Sequence, residues 1–123
     1  MSQDIVSDAL NEIMNAKKAR KAEVKIRRKS KFLLEVLNLM KKLGYISYSL
    51  KNEELIVEIK NLNECKAVKP RYSVTTDEIE KYVRRFLPAR DFGFLIISTN
   101  QGLKSHEDAL DKNLGGSLIA YFY

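Results

Sequence analysis

Three observations predict an α+β chain of two small domains: an N-terminal α-β-α-β-β unit over residues 1–62 and a C-terminal, mainly β unit with short helices over residues 63–123. In the first sixty or so residues the apolar period switches between three-or-four and two, the spacings of helix and strand. Asn61-Leu62-Asn63-Glu64 then makes a polar break. Beyond it extended patterns outweigh helical ones, and the apolar run from Phe94 stops abruptly at Ser98-Thr99-Asn100-Gln101-Gly102, a buried strand delivering a polar turn to the surface.

In chain order, Asp4 can cap a first helix in which Ile5, Val6, Ala9, Leu10, Ile13 and Met14 recur at helical spacing. Ala22, Val24 and Ile26 then alternate with Glu23, Lys25 and Arg27, giving one short strand. Ser30 is a suitable N-cap for a second helix with a broad apolar face from Phe32 to Leu43, and Gly44 is its expected stop. Two alternating stretches, Ile46-Tyr48-Leu50 and Leu55-Val57-Ile59, flank the polar Asn52 to Glu54 and read as a hairpin. Both helices are expected on one face of the resulting three-stranded sheet.

In the second half Cys65 to Val74 is extended, with Pro70 placing it at an edge or a bend because proline has no N–H to donate. Thr75 and Glu78 form a capping box ahead of a helix carrying Ile79, Tyr82, Val83 and Phe86, and Leu87-Pro88 ends it. Phe94 to Thr99 is the central strand, Ser105 opens a short polar helix, and Leu118, Ala120 and Phe122 alternate along the last strand.

Composition excludes several classes. At 45% hydrophobic and 31% charged the chain is globular rather than disordered. No apolar run approaches the roughly 20 residues that span a bilayer, and Asp4 and Asp8 stand where a secretory signal would be basic, so a cytosolic protein with no membrane partner is expected. The single cysteine, Cys65, and the single histidine, His106, offer no disulfide and no metal site, and no cofactor is expected. The net charge of +6 is unevenly spread: residues 1–16 hold three acids and no Lys or Arg, residues 17–42 hold eleven Lys or Arg against two acids, and residues 43–123 hold eleven of each. The excess is a footprint for phosphates, centred on Arg27, Arg28, Lys29 and Lys31 beside the free N–H groups of the second helix.

Candidate chemistry is sparse. Asp91-Phe92-Gly93 copies three letters of a kinase metal-binding loop without the rest of the signature, and reads as a turn. Ser98, His106 and either Asp108 or Asp111 supply the residue types of a hydrolytic triad, but there is no G-x-S-x-G elbow. Gly115-Gly116 serves as a helix stop and turn, or as a place where a backbone or base approaches closely. Tyr72, Tyr121 and Tyr123 could stack on bases or simply pack.

The C-terminal stretch resembles the universal small-subunit ribosomal protein S-eight family. The resemblance rests on Leu87-Pro88-Ala89-Arg90-Asp91-Phe92-Gly93, Ser98-Thr99 with Gly102, Ser105-His106-Glu107 with Ala109, and Gly115-Gly116 before an apolar strand ending in Tyr. Upstream, Asp8-Ala9-Leu10-Asn11, Asn15-Ala16, Ser30-Lys31, Gly44-Tyr45-Ile46 and Pro70-Arg71-Tyr72 extend it over the whole chain. The Leu-Pro-Ala-Arg-Asp-Phe-Gly and Pro-Arg-Tyr forms look archaeal or eukaryotic. Asn100, Lys104, Ser105, Ser117 and Ile5 stand where bacterial members carry Ser, Met, Thr, Glu and Pro.

The resemblance implies two side-by-side α+β domains and a non-catalytic protein of the small subunit. It also implies early binding to the central domain of small-subunit rRNA, in the helix twenty-one region, to order the platform beside neighbouring ribosomal proteins. Carried over by position, Ser98, Thr99, Asn100, Gln101 and Gly102 form a loop entering the RNA minor-groove side. Gly115, Gly116, Arg71 and Tyr72 belong to the same surface, while Asn15, Ser30 and Lys31 meet the backbone; Ser105 and His106 of the family motif, and Arg28 and Lys29 of the basic cluster, complete the expected RNA contacts. Repression of the protein's own mRNA through a mimic of the rRNA site is compatible with the family. An RNA-binding regulator outside the ribosome and a small hydrolase are the rival readings.

Overall fold

In a computed structural model the chain divides into two compact units, Met1–Cys65 and Lys66–Tyr123. The structure describes residues 5–26, 30–52, 54–89 and 92–123, without the side chains of Lys69 and Pro70; the expected cap Asp4 lies outside them.

The first unit contains α1 (Ile5–Lys18), β1 (Glu23–Ile26), α2 (Lys31–Lys42), β2 (Ile46–Lys51) and β3 (Glu54–Ile59), as the periodicity predicts. The sheet is antiparallel in the order β1-β3-β2. Register places Ile26, Leu55 and Leu50 in one row and Val24, Val57 and Tyr48 in the next, so the apolar positions share a face. Leu55 and Val57 are wholly buried there, whereas Leu50, toward the hairpin tip, is half exposed. The helices supply the opposing layer: Val6, Ala9, Leu10, Ile13 and Ala16 from α1, and Leu33, Val36, Leu37 and Met40 from α2.

The helix ends follow local chemistry. The Ser30 hydroxyl accepts from the Leu33 N–H at 3.1 Å, satisfying one of the orphan donors of α2. At the other end the Tyr45 N–H donates to the Met40 carbonyl and the Gly44 N–H to that of Lys41, with Gly44 at φ +88, which is a Schellman stop. The same pair of bonds closes α1 with Arg20 in the left-handed position (φ 60), a place usually taken by glycine and not foreseen from the sequence.

Cys65 is tied to this unit. Its N–H donates to Met14 Sδ at 3.3 Å and its thiol to the Leu10 carbonyl at 3.7 Å. Burial, with Glu64 adding repulsion, pushes the thiol up to about 12.

The second unit contains β4 (Cys65–Val74), α3 (Thr76–Phe86), β5 (Phe94–Thr99), β6 (Gly102–Ser105), α4 (His106–Asp111) and β7 (Gly116–Phe122), with strand order β4-β7-β5-β6. β4 is an edge strand, which is where Pro70 is tolerated. Glu78 Oε1 accepts from both the N–H and the hydroxyl of Thr75 at 3.1 Å, and α3 ends at Phe86 before an extended Leu87, as a following proline requires. Val68, Val74, Ile79, Val83, Leu95, Ile97, Ala109 and Leu118 make the core between sheet and helices.

Two features depart from the sequence reading. β6 is a strand, so the polar turn is the loop of a β5–β6 hairpin. The alternation Leu118-Ala120-Phe122 is broken by a bulge: Ile96 faces Ala120 but Ile97 faces Leu118, so Ile119 is extra and Leu118 lies on the face opposite Ala120. Tyr121 then falls on the helix side, where Tyr72, Tyr82, Phe86, Tyr121 and Tyr123 stack in succession at 5.3–6.3 Å.

Replacing Ser30 by Ala is expected to destabilise the protein by about 1 kcal/mol in denaturant unfolding, because the Leu33 N–H loses its partner. Cys65 is expected to alkylate at pH 8 on the order of a hundredfold or more slowly than in the unfolded chain, since only the thiolate reacts. The folded thiol also stays protonated where the unfolded one ionises. Stability should therefore fall by ~1.4 kcal/mol per pH unit between about pH 9 and 12, relative to Cys65→Ala over the same range.

Candidate nucleic-acid interface

One end of the four-stranded sheet gathers the small polar residues. The register Ser98↔Leu103 and Thr99↔Gly102 leaves Asn100 and Gln101 as a two-residue loop. Thr99 holds it together: its hydroxyl donates to the Gly102 carbonyl at 2.8 Å and accepts from the Gln101 N–H at 3.1 Å. Thr99 is therefore a builder of the loop. The side chains of Ser98, Asn100, Gln101 and Ser117 have no hydrogen-bond partner among the described residues, and Asn100 and Gln101 are exposed.

β7 enters the sheet beside this loop. Ser98 pairs with Ser117, so two small hydroxyls sit side by side on one face. A Cβ on Gly116 would overlap the Ser98 carbonyl oxygen, and one on Gly115 would lie 2.8 Å from the Val74 carbonyl oxygen. The two glycines are where three strand ends crowd together. They do not stop α4. Asn113 does so in the left-handed conformation (φ 55), with the Leu114 N–H on the Ala109 carbonyl and the Asn113 N–H on that of Leu110.

The result is a rim of hydroxyl, amide and bare backbone formed by residues 98–102 and 115–117. Its chemistry suits a ligand that offers hydroxyls and base edges at short range, such as a shallow RNA minor groove. Arg71 is exposed and, alternating with Tyr72, faces the Ser98 side of the sheet. Tyr72 does not. Its ring stacks on Tyr82 at 5.5 Å with the Arg85 guanidinium 5.6 Å from its centroid, on the helix side.

Ser105 and His106 are not on the rim either. Both are buried; Ser105 Oγ caps α4 by accepting from the Asp108 N–H at 3.3 Å, and His106 Nδ1 accepts from the Leu95 N–H at 3.1 Å. That bond puts the ring proton on Nε2. It also removes the triad, because the imidazole is engaged beside Leu95 and Phe94 while Ser98 pairs three residues earlier, at Leu103. Among the described residues no cluster of His, Cys, Asp or Glu could hold a metal ion, and no helix is long and apolar enough to cross a membrane.

In the first unit Asn15 is exposed and lines a groove between α1 and β1 in which Lys21 and Lys25 are matched by Glu12 and Glu23. Lys31 is exposed beside the capped N-terminus of α2, while Arg28 and Lys29 lie outside the described residues. Ser117 is not among the residues expected from sequence to contact RNA, and Lys21 and Lys25 are expected only as part of the basic segment 17–42. Ser117 had no signal of its own, since only the strand pairing sets it against Ser98.

The fold is a two-unit α+β chain with a rim of short polar side chains at one end of its four-stranded sheet. The chain matches the model of the Ribosomal protein S8 family over residues 4–123. It is 39% identical over 125 residues to the small ribosomal subunit protein uS8 of Neurospora crassa, covering 97% of this chain and 96% of that one. It is 42% identical over 129 residues to the small ribosomal subunit protein uS8 of Archaeoglobus fulgidus, covering both in full. The chain belongs to the ribosomal protein S8 family, whose members are structural, non-enzymatic proteins.

Gly116→Ala is expected to destabilise the protein by roughly 1–3 kcal/mol, because the added methyl must displace the Ser98 backbone, read as a shifted urea midpoint with the slope unchanged.

Proposed function

We propose that the chain is a cytoplasmic, structural constituent of the small ribosomal subunit that binds the central domain of its rRNA, in the helix twenty-one region, and supports assembly of the platform. The observation that carries this is the rim at the sheet end, where the glycine contacts with Ser98 and Val74 leave backbone and short hydroxyls at the surface. In double-helical RNA the major groove is too deep and narrow to read. The shallow minor groove rewards short donors and acceptors that come close over long cations. Residues 17–42, with their excess of Lys and Arg, supply attraction to phosphates, while the rim supplies selectivity. Ser98, Asn100, Gln101 and Ser117 are the proposed readers, Gly102, Gly115 and Gly116 the places of close approach, and Asn15, Arg28, Lys29, Ser30, Lys31 and Arg71 the backbone contacts. Thr99, Ser105 and His106 are assigned to positioning.

The test compares binding to a central-domain rRNA fragment with binding to an unrelated duplex of equal length. The fragment should be preferred, and Ser98→Ala with Asn100→Ala should reduce that preference while leaving the duplex affinity in place. Lys29→Ala with Lys31→Ala should instead weaken both RNAs and make the salt slope shallower by roughly two units, one per lost phosphate contact. Equal affinity of the intact protein for the two RNAs sinks the reading, and failure to sediment with small subunits moves it to an RNA-binding regulator outside the ribosome.

A further inference from the structure

On the helix side of the second sheet, α3 and α4 enclose a groove of about 500 Å³ lined by Glu80, Val83, Arg84, His106, Leu110 and Asp111, with Glu107 at its rim. Ser98 and Ser117 lie on the other face, so the groove is separate from the proposed RNA rim. Val83 and Leu110 give it an apolar floor, and Leu110 is 37% exposed. Around that floor three carboxylates stand against one guanidinium, a net −2 on a chain of +6. The local sign is therefore inverted, which disfavours phosphate there and favours a cationic partner with an apolar group to cover Leu110.

We propose that this groove docks a basic protein segment in extended conformation, with one aliphatic side chain seated on Val83 and Leu110 and cations meeting Glu107 and Asp111. The spacing fits. Glu107 and Asp111, four residues apart on α4, lie roughly 6 Å from each other. Alternate residues of an extended chain point the same way roughly 6.7 Å apart. A pattern of aliphatic residue, then two cations at alternate positions, matches floor and rim together. The area is small, so the contact is weak by itself and acts as one anchor among several.

The experiment titrates the isotopically labelled full-length chain with the peptide Ser-Leu-Ser-Lys-Ser-Arg-Ser and follows backbone amide shifts. Shifts are expected in residues 80–84 and 106–111, with a Kd on the order of 10⁻⁴ M. A Leu→Ser version of the peptide should bind about tenfold more weakly. Glu107→Gln with Asp111→Asn should weaken the original roughly three- to tenfold. That double variant is isosteric and exposed, and it should keep its melting temperature and its affinity for the rRNA fragment, so failure here is distinct from failure of the RNA reading. Shifts centred elsewhere, an unchanged Kd in the double variant, or an equal response to spermine would overturn the proposal. Displacement of the peptide by the rRNA fragment would do the same, by assigning the groove to RNA.

Discussion

The return of β7 into the middle of the second sheet is the constraint on which the C-terminal unit depends. Strand order β4-β7-β5-β6 inserts β7 between two strands that precede it in the chain, so the sheet is incomplete until β7 is in place. The entry point is tight. Gly116 lies against the Ser98 carbonyl and Gly115 against that of Val74, positions where any side chain would collide with backbone. One packing constraint thus fixes the sheet and exposes the rim, because the crowding that demands glycine also brings bare backbone to the surface.

The bulge at Ile119 follows from the same insertion. With one extra residue in β7, Leu118 can join Ile97 under α3 while Ala120 and Phe122 pair with Ile96 and Phe94 on the other face. Without it, Tyr121 would face away from Phe86, and the run of stacked rings from Tyr72 to Tyr123 would be cut. The tyrosines that could have been base platforms are spent largely on holding α3 to the sheet. Stacked pairs of this kind contribute about 0.5–1.5 kcal/mol each beyond burial.

What was legible in the sequence is what is local. The caps Ser30, Thr75 and Ser105 bond within three residues of themselves, and the apolar periods of the first unit are read in windows of a dozen residues or fewer. What was not legible depends on pairing at a distance. The Ser98↔Ser117 register spans the whole of β6 and α4, and no turn signal encodes it. The left-handed stops at Arg20 and Asn113 are hidden for another reason: each holds that conformation with two backbone bonds and no glycine, so the residue itself carries little signal. Arg20 is the more strained of the two, as Asn tolerates that region better than a long side chain.

His106 shows how burial changes the meaning of a residue. In sequence a histidine beside serine and two aspartates suggests acid–base chemistry, and its place in a family motif suggests contact with RNA. In the fold its Nδ1 accepts the Leu95 N–H, a donor on the strand that leads to Ser98. The bond fixes β5 at the end where α4 begins, four residues before the loop turns, and Ser105 fixes the start of α4 itself. A lysine, which has no acceptor, could not take that amide, and the imidazole also lies tilted against Phe94 with ring centroids 5.8 Å apart. The pattern Ser105-His106 is therefore explained by the packing beneath the rim rather than by membership in it: the strand that carries Ser98 must be set, and the buried imidazole is one of the groups that sets it.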